Sequence, residues 1–316
     1  MKIVSLGNTG IQVPVLAMGA ASLGSIYHPV SQQQANETVS ATLENGVNYF
    51  DVAPYYGLTK AETALGKALQ GIPRHQYTLA TKVGRYGDSL WDFSREATLR
   101  SIDESLSRLG TDYIDVIQCH DIEYGDIPQL LDEALPVLRE LKASGVVRHI
   151  GITGYQLDLL EQVACKQKVD TVMAYCTWTL QDRRLGDVAR RLNQAGIGVL
   201  NASPLSMGLL TRGGAPQWHP AHQDVQQVCR EVSALCDREG VNISQVALQF
   251  ALTTAAEHGI ATTVIGTASA ENMLDNVRWS DQPLNDELLA QIDALMAPVL
   301  NIGWDILPGN GGKTQK

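Results

Sequence analysis

Four residues in the first 120 positions could together move a proton and stabilise a developing oxyanion: Asp51, Tyr56, Lys82 and His120. A tyrosine ionises at a pKa of about 10, so it is a weak acid–base group at neutral pH unless a cation stabilises its phenolate. Lys82 could be that cation. It stands near the end of the apolar run Tyr77–Val83, where a lysine is out of place unless paired. Asp51, which ends the apolar stretch from Val47, is an available partner. His120 follows Val116-Ile117-Gln118-Cys119 and could hydrogen-bond a substrate oxygen. Each residue alone has an ordinary explanation: a loop cap for Asp51, apolar cover for Tyr56, a satisfied core histidine for His120. Together they fall at the C-terminal ends of three consecutive apolar runs, where a barrel of parallel strands would bring them to one place.

The elements that would position them follow one rhythm. Asn8 and Gly10 mark a tight turn in a small hairpin over 5–13. Strands are then expected at 15–19, 47–52, 77–83, 113–119, 147–152, 171–174, 197–201 and 261–265. Helices alternate with them. Ser31 caps one running to Asn45, Ser94 caps one over about 95–109 stopped by Gly110, and others are expected at about 60–69, 128–143, 156–165 and 182–194. Helices at about 223–238, 244–254, 270–277 and 286–296 complete the pattern. Eight strands alternating with helices and no composition break predict a single domain over 1–316. The fold class is α/β, one (β/α)8 TIM barrel with an N-terminal β-hairpin and extra C-terminal helices. The strands are apolar along most of their length, as strands covered on both faces must be. The Gly-rich tail of about 305–316 is expected to be poorly ordered.

Composition bounds the partners. The chain has 316 residues, 44% of them apolar and 18% charged, with a net charge of −10. That balance argues against nucleic acid or an anionic membrane as partner, and no apolar run is long enough to cross a bilayer. The start lacks the apolar core of a signal peptide. Cys119, Cys165, Cys176, Cys229 and Cys236 are odd in number and lack CxxC spacing. They read as reduced thiols in a cytoplasmic protein, with no metal site. A monomer or a small homo-oligomer is compatible with all of this.

The segments around the four residues resemble the aldo-keto reductases. They are Asn48-Tyr49-Phe50-Asp51-Val52-Ala53-Pro54-Tyr55-Tyr56-Gly57, Ala80-Thr81-Lys82, Cys119-His120, Ser203-Pro204-Leu205, and Val264-Ile265-Gly266-Thr267 with Asn272 and Asn276. The resemblance spans about 3–300. Within the family it is strongest to aldose 1-dehydrogenases of the L-galactose or L-fucose type, through Thr81–Tyr86, His120–Gly125, Ala202–Thr211 and Pro216–Pro220. It implies a catalytic tetrad of Asp51, Tyr56, Lys82 and His120, with Tyr56 as general acid–base and Lys82 depressing its pKa. Asp51 would hold Lys82, and His120 would orient the substrate oxygen. Activity should then improve as pH rises toward the depressed tyrosine pKa.

No GxGxxG follows the first strand, so a Rossmann mode of dinucleotide binding is not expected. The resemblance instead implies NAD(P) lying across the barrel top, near Gly19, Asp51 and Thr153. Its pyrophosphate would be held at Ser203, Leu205 and Gly208, and its adenosine end at Gly266, Thr267, Asn272 and Asn276. NADP-dependent members carry Lys or Arg near Gly266 and Asn272 to meet the 2′-phosphate. Residues 262–277 contain neither, and Glu271 and Asp275 are acidic, so NAD is expected over NADP. Where many members grip the carboxamide with Ser-Asn and Gln, this chain has Thr153-Gly154 and Met173. Where they stack an aromatic it has Ala202, which leaves Tyr175 or Trp178 for that contact.

A sugar pocket combines hydroxyl partners with aromatic faces. Substrate-binding candidates are Tyr56, His120, Asp121, Trp91, Tyr124 and Trp178, with Asp121 foremost for a sugar hydroxyl. His28, Tyr155, His219 and Trp304 are further loop candidates, and Arg85 is a lone cation nearby. The leading expectation is NAD-dependent oxidation of an aldose at C1 to the lactone. The alternatives are an NADPH-dependent aldehyde or ketone reductase and, from another class, a cofactor-sensing regulatory subunit.

Overall fold

The computed structural model describes residues 1–304; the expectation for the 305–316 tail lies outside them. An antiparallel hairpin, β1 (Ile3–Ser5) and β2 (Gln12–Pro14), precedes eight parallel strands. These are β3 (Leu16–Gly19), β4 (Tyr49–Asp51), β5 (Thr78–Val83), β6 (Ile114–Cys119), β7 (Val147–Gly154), β8 (Thr171–Tyr175), β9 (Gly198–Ala202) and β10 (Ile260–Gly266). β10 pairs with both β9 and β3, which closes the ring. The (β/α)8 barrel and its hairpin are therefore as the sequence predicts.

The hairpin is tied to the barrel. Leu6 N–H donates to Ile11 O at 2.9 Å across its turn, and Asn8 N–H donates to Gly196 O at 2.8 Å in the turn before β9. Leu6 and Val13 join Ala17, Tyr49, Ala80, Val116 and Leu200 in one buried cluster, so the hairpin plugs the floor of the barrel. This cluster fixes which strand positions face inward. Tyr49, Ala80 and Val116 point into the barrel, while Phe50, Ile117 and Cys119 pack outward against helices. Side chains alternate along a strand, so Asp51, Lys82, Gln118 and His120 are carried to the inner face at the strands' C-terminal ends.

Ser31 caps the helix Gln32–Glu44 with a reciprocal capping box to Gln34, and Ser94 caps Arg95–Leu109, which ends at Gly110 in the left-handed conformation. Two helices depart from expectation. The segment after β6 is α-helical at Ile127–Gln129, widens into a π turn over Leu130–Ala134, then resumes as Leu135–Ser144. Pro136 has no N–H for the Asp132 carbonyl and its ring crowds that group, and the wider turn absorbs the mismatch. The helix expected from 182 begins at Leu185, because the Thr179 hydroxyl accepts from Gln181 N–H (3.2 Å) and Asp182 N–H (3.0 Å) in a tight turn. Among the described residues no helix is long and apolar enough to cross a membrane.

Candidate active site

The four acid–base candidates meet at the top of β4, β5 and β6. Asp51, Lys82 and His120 are 3%, 1% and 3% exposed, so their electrostatics are not screened by bulk water. Lys82 Nζ donates to Asp51 Oδ2 at 2.5 Å and to Val52 O at 2.9 Å. Its ammonium lies 4.8 Å from the centre of the Tyr56 ring. Tyr56 stands edge-on to His120, with ring centres 5.5 Å apart at 88°. Burial pulls the Lys82 pKa down, but the charges of Asp51 and Tyr56 outweigh it and hold Lys82 above its ordinary 10.5. Burial, then the charges of Lys82 and Arg85, push His120 well below 6.5. His120 is therefore a neutral imidazole at pH 7, suited to hydrogen bonding rather than to carrying charge.

Tyr56 corrects one expectation. Lys82 does lower its pKa, but burial raises it by more, and the net result is pushed up to about 12 instead of depressed. Tyr56 is thus protonated at neutral pH.

One neighbour of the tetrad was missed in the sequence. Gln118 Nε2 donates to Asp51 Oδ1 at 2.8 Å, so the Asp51 carboxylate is gripped by Lys82 on one oxygen and Gln118 on the other. The signal was present: a fully buried Gln two positions before His120 lies on the same inward face.

Beside His120 the loops form a second charged unit. Gly84 has φ +98°, and a Cβ there would lie 1.9 Å from the Phe93 ring, so only glycine lets the chain after β5 fold back. The 84–92 segment returns as a short hairpin, with Arg85 bridged to Trp91. The Arg85 guanidinium lies 3.7 Å from the Tyr55 ring centre and 4.8 Å from that of Trp91. Its Nη1 donates to Asp121 Oδ2 at 2.5 Å. Trp91 packs against Tyr124 with ring centres 5.3 Å apart. Asp121, Trp91 and Tyr124 therefore share one wall of the mouth with the tetrad.

Other candidates take different places. Trp178 is not in the mouth: its ring packs 5.7 Å from Phe250 and 4.5 Å from His258, inside the helix layer. It shares the outer cluster with Val172 and Ala174, while Met173 faces the barrel interior. Thr153 is committed to Asp121, accepting its N–H at 3.0 Å and donating to Oδ1 at 3.4 Å. Tyr155 stacks on Trp304 (4.6 Å, 14°) and accepts from Arg184 Nη2 at 2.9 Å. His219 accepts the Ala221 N–H and faces Ser206 O at 2.8 Å, so it braces the loop after β9. His28 is exposed on the loop after β3.

Glu123, also unremarked in the sequence, is buried beneath this wall, where its Oε1 accepts Tyr155 N–H at 2.6 Å. Burial and then the Asp121 charge push its pKa up to about 8. A carboxyl raised from its ordinary 4.5 holds a proton in the folded state that the unfolded chain has released, so its contribution to stability is lost as pH rises from about 4.5 through about 8. Glu123→Gln keeps the acceptor for Tyr155 and removes the ionisation. It is expected to raise Tm by a few degrees at about pH 9 and to change it little at about pH 4. Thermal denaturation across that range checks the sign.

The opposite side of the mouth offers backbone and neutral groups. Gly19 pairs with both Asp51 and Gly266 at the strand ends, and a Cβ on Gly266 would meet only Gly19 O and Ser22 Oγ, both at 3.8 Å. After β9 the loop holds Ser203, Ser206 and Met207 at φ 56°, 47° and 49°, an uncommon conformation for residues with a Cβ that marks a segment under constraint. The buried Ser206 Oγ has no partner there. After β10, Ser269 caps the helix Ala270–Ser280, with Thr267 bracing the turn, Asn272 exposed in its first turn and Asn276 buried one turn on. The open Gly266 and the exposed helix start fit a dinucleotide laid across the mouth. Arg278, the first cation beyond 262–277, is committed to Asp275 at 2.8 Å.

A cavity of about 650 Å³ lies at the other end of the barrel, between the helices Lys60–Ala68 and Arg95–Leu109. Arg74, one of its lining cations, donates to Thr111, Tyr77 O, Tyr113 O and Asp115 and so braces the strand starts. Among the described residues no group of three or more His, Cys, Asp or Glu side chains could hold a metal ion.

Comparison with known proteins agrees with this geometry. The aldo/keto reductase family pattern matches residues 15–297. The chain is 39% identical to L-galactose dehydrogenase of Arabidopsis thaliana, covering 96% of this chain and 97% of that one. It is 32% identical to D-arabinose 1-dehydrogenase of Saccharomyces cerevisiae, covering 84% and 83%. Among solved structures, the holo form of an aldo-keto reductase from Bacillus halodurans superposes with a TM-score of 0.76 at 28% identity, covering 93% of this chain and 96% of that one.

Proposed function

The chain belongs to the aldo/keto reductase family of oxidoreductases, and from that premise we propose that it oxidises an aldose at C1 to the lactone, with NAD as the preferred cofactor and L-galactose or a related sugar such as L-fucose as substrate. The observation that carries this reading is the convergence of Tyr56, Lys82, Asp51 and His120 at one strand-end site, walled by the Asp121–Arg85 pair. The likeness over nearly full length to two sugar dehydrogenases supports the choice of substrate class.

Each residue has a part. Tyr56 takes the proton of the C1 hydroxyl as that oxygen becomes a carbonyl, and returns it in the reverse direction. Lys82 stabilises the phenolate, Asp51 and Gln118 hold Lys82 in place, and the neutral His120 hydrogen-bonds the reacting oxygen. Bound NAD supplies the two-electron acceptor at C1. Gly19, Ser203, Leu205, Gly208, Gly266, Thr267, Asn272 and Asn276 are the residues that would hold it.

The pH dependence follows from the sign of the Tyr56 shift. With a pKa of about 12, the phenolate is scarce at neutral pH and grows about tenfold per pH unit, so oxidation is expected to rise through about pH 10. Reduction uses the protonated form, which predominates throughout, so its rate is expected to change little between about pH 7 and about pH 10. Oxidation of L-galactose labelled with ¹³C at C1 tests the reaction itself: a lactone carbonyl resonance is the expected product, and an unchanged sugar with NAD and with NADP would refute it.

The cofactor preference rests on the missing cations after β10. Asn272→Arg is expected to improve NADP use, read as kcat/KM, by about tenfold, since a charge-assisted contact to a phosphate is worth a little over 1 kcal/mol. No change would mean that the adenosine end lies elsewhere.

A further inference from the structure

The Asp121–Arg85 pair is built more strongly than a loop salt bridge requires. Asp121 has φ +48° and ψ +60°, a strained conformation for a residue with a Cβ. Thr153 holds its backbone N–H, and Phe93 locks the two loops together, filling the space that a Cβ would need on both Gly84 and Gly125. Arg85 is sandwiched between Tyr55 and Trp91 with its side chain 14% exposed, so its charge is fixed and scarcely hydrated. This arrangement delivers one carboxylate oxygen, Asp121 Oδ2, to a point 3.7 Å from His120 Nε2.

That separation has a chemical meaning. Two oxygens on adjacent carbons, held gauche, lie about a hydrogen-bond length apart, and each can reach its own partner at ~2.8 Å. With His120 Nε2 on the oxygen of the reacting carbon, Asp121 Oδ2 faces the hydroxyl on the next carbon. We propose that the Asp121–Arg85 pair reads the hydroxyl adjacent to the reacting carbon, so that the enzyme selects α-hydroxy aldehydes and aldoses over their 2-deoxy counterparts. Asp121 accepts the hydroxyl proton. Arg85 is a positioning residue, which aims Oδ2 and leaves it a lone pair for the substrate. The inference rests on the aldose reading for its sugar substrate, but the contact itself would act equally on a small aldehyde.

The test compares matched pairs differing only in that hydroxyl: L-galactose with 2-deoxy-L-galactose in oxidation, and lactaldehyde with propanal in reduction by NADH. Wild-type enzyme is expected to favour the hydroxylated member by about 100-fold in kcat/KM, because the deoxy analogue displaces water from the remaining lone pair of Asp121 Oδ2 and offers it no donor. In Asp121→Asn and in Arg85→Met the ratio is expected to fall below about tenfold, while Arg85→Lys retains part of it. Intrinsic reactivity of the substrates cancels in the comparison of wild type with variant, so a merely structural role for Arg85 would lower both rates and leave the ratio unmoved. A wild-type ratio near one, which needs no variant to measure, would overturn the proposal, as would a ratio unchanged in Asp121→Asn. If no aldose is oxidised but lactaldehyde is preferred in an Asp121-dependent way, the aldose reading fails and the hydroxyl contact stands. If L-galactose is oxidised no better than its 2-deoxy form, the aldose reading stands and the contact fails.

Discussion

Tyr56→Phe is expected to lower kcat by about 10³-fold, in the range that a positioned general acid–base supplies, with NADH affinity retained. The substitution removes one oxygen and keeps the ring that stands edge-on to His120, so packing at the mouth changes little. What is lost is the only hydroxyl that the tetrad places against Lys82. His120 cannot replace it, because burial and two neighbouring cations keep its imidazole neutral, and an approaching proton would meet the same charges. The loss should appear equally in kcat and kcat/KM, since the proton transfer is felt in the transition state and not in substrate binding. Stopped-flow or steady-state rates, with NADH binding followed by fluorescence, check both halves. Activity within tenfold of wild type would remove Tyr56 from its role.

Lys82→Met combines a catalytic and a structural loss. Catalytically, Tyr56 loses the charge that opposes its burial, and its pKa moves further from the working range. A fall in kcat comparable to that of Tyr56→Phe is expected. Structurally, Asp51 is left at 3% exposure with only Gln118 as side-chain donor. Leaving one partner of a buried ion pair uncompensated costs about 3–5 kcal/mol, so Tm should drop by several degrees. The two losses can be separated. The double variant Asp51→Asn with Lys82→Met removes the orphaned charge and should regain most of the stability while staying inactive. Calorimetry on the single and double variants, beside their turnover, checks this. A double variant no more stable than Lys82→Met would mean that Asp51 is not held mainly by its charge.

The barrel and the tetrad were legible in the sequence because both rest on local pattern. Apolar runs broken by glycine give the strands, and the period of two along each strand carries Asp51, Lys82 and His120 inward once the fold is known. What escaped depends on contacts between loops that are distant in sequence. Arg85 appeared as a lone cation, because nothing near it in the chain says that its partner is Asp121, 36 positions on. The bond from Asp121 N–H to the Thr153 hydroxyl was hidden for the same reason, since it spans 32 positions. Trp178 has the parity of the outward-facing Val172 and Ala174, and its place in the helix layer shows only once the inward position of Met173 is known. The Tyr56 pKa went the other way because a sequence shows the lysine that lowers it but not the depth of burial that raises it. Glu123 is similar, a carboxyl that reads as ordinary until its surroundings are seen.

The most direct test of NAD-dependent aldose oxidation is absorbance at 340 nm with purified enzyme, at about pH 7 and about pH 10, using L-galactose, L-fucose, D-arabinose and other aldoses, each with NAD and with NADP. Rapid NADH formation is expected from at least one L-galactose-like sugar, faster at the higher pH and slow with NADP. No turnover of any aldose, together with NADPH oxidation by simple aldehydes, would contradict both the reaction and the cofactor assigned to this site.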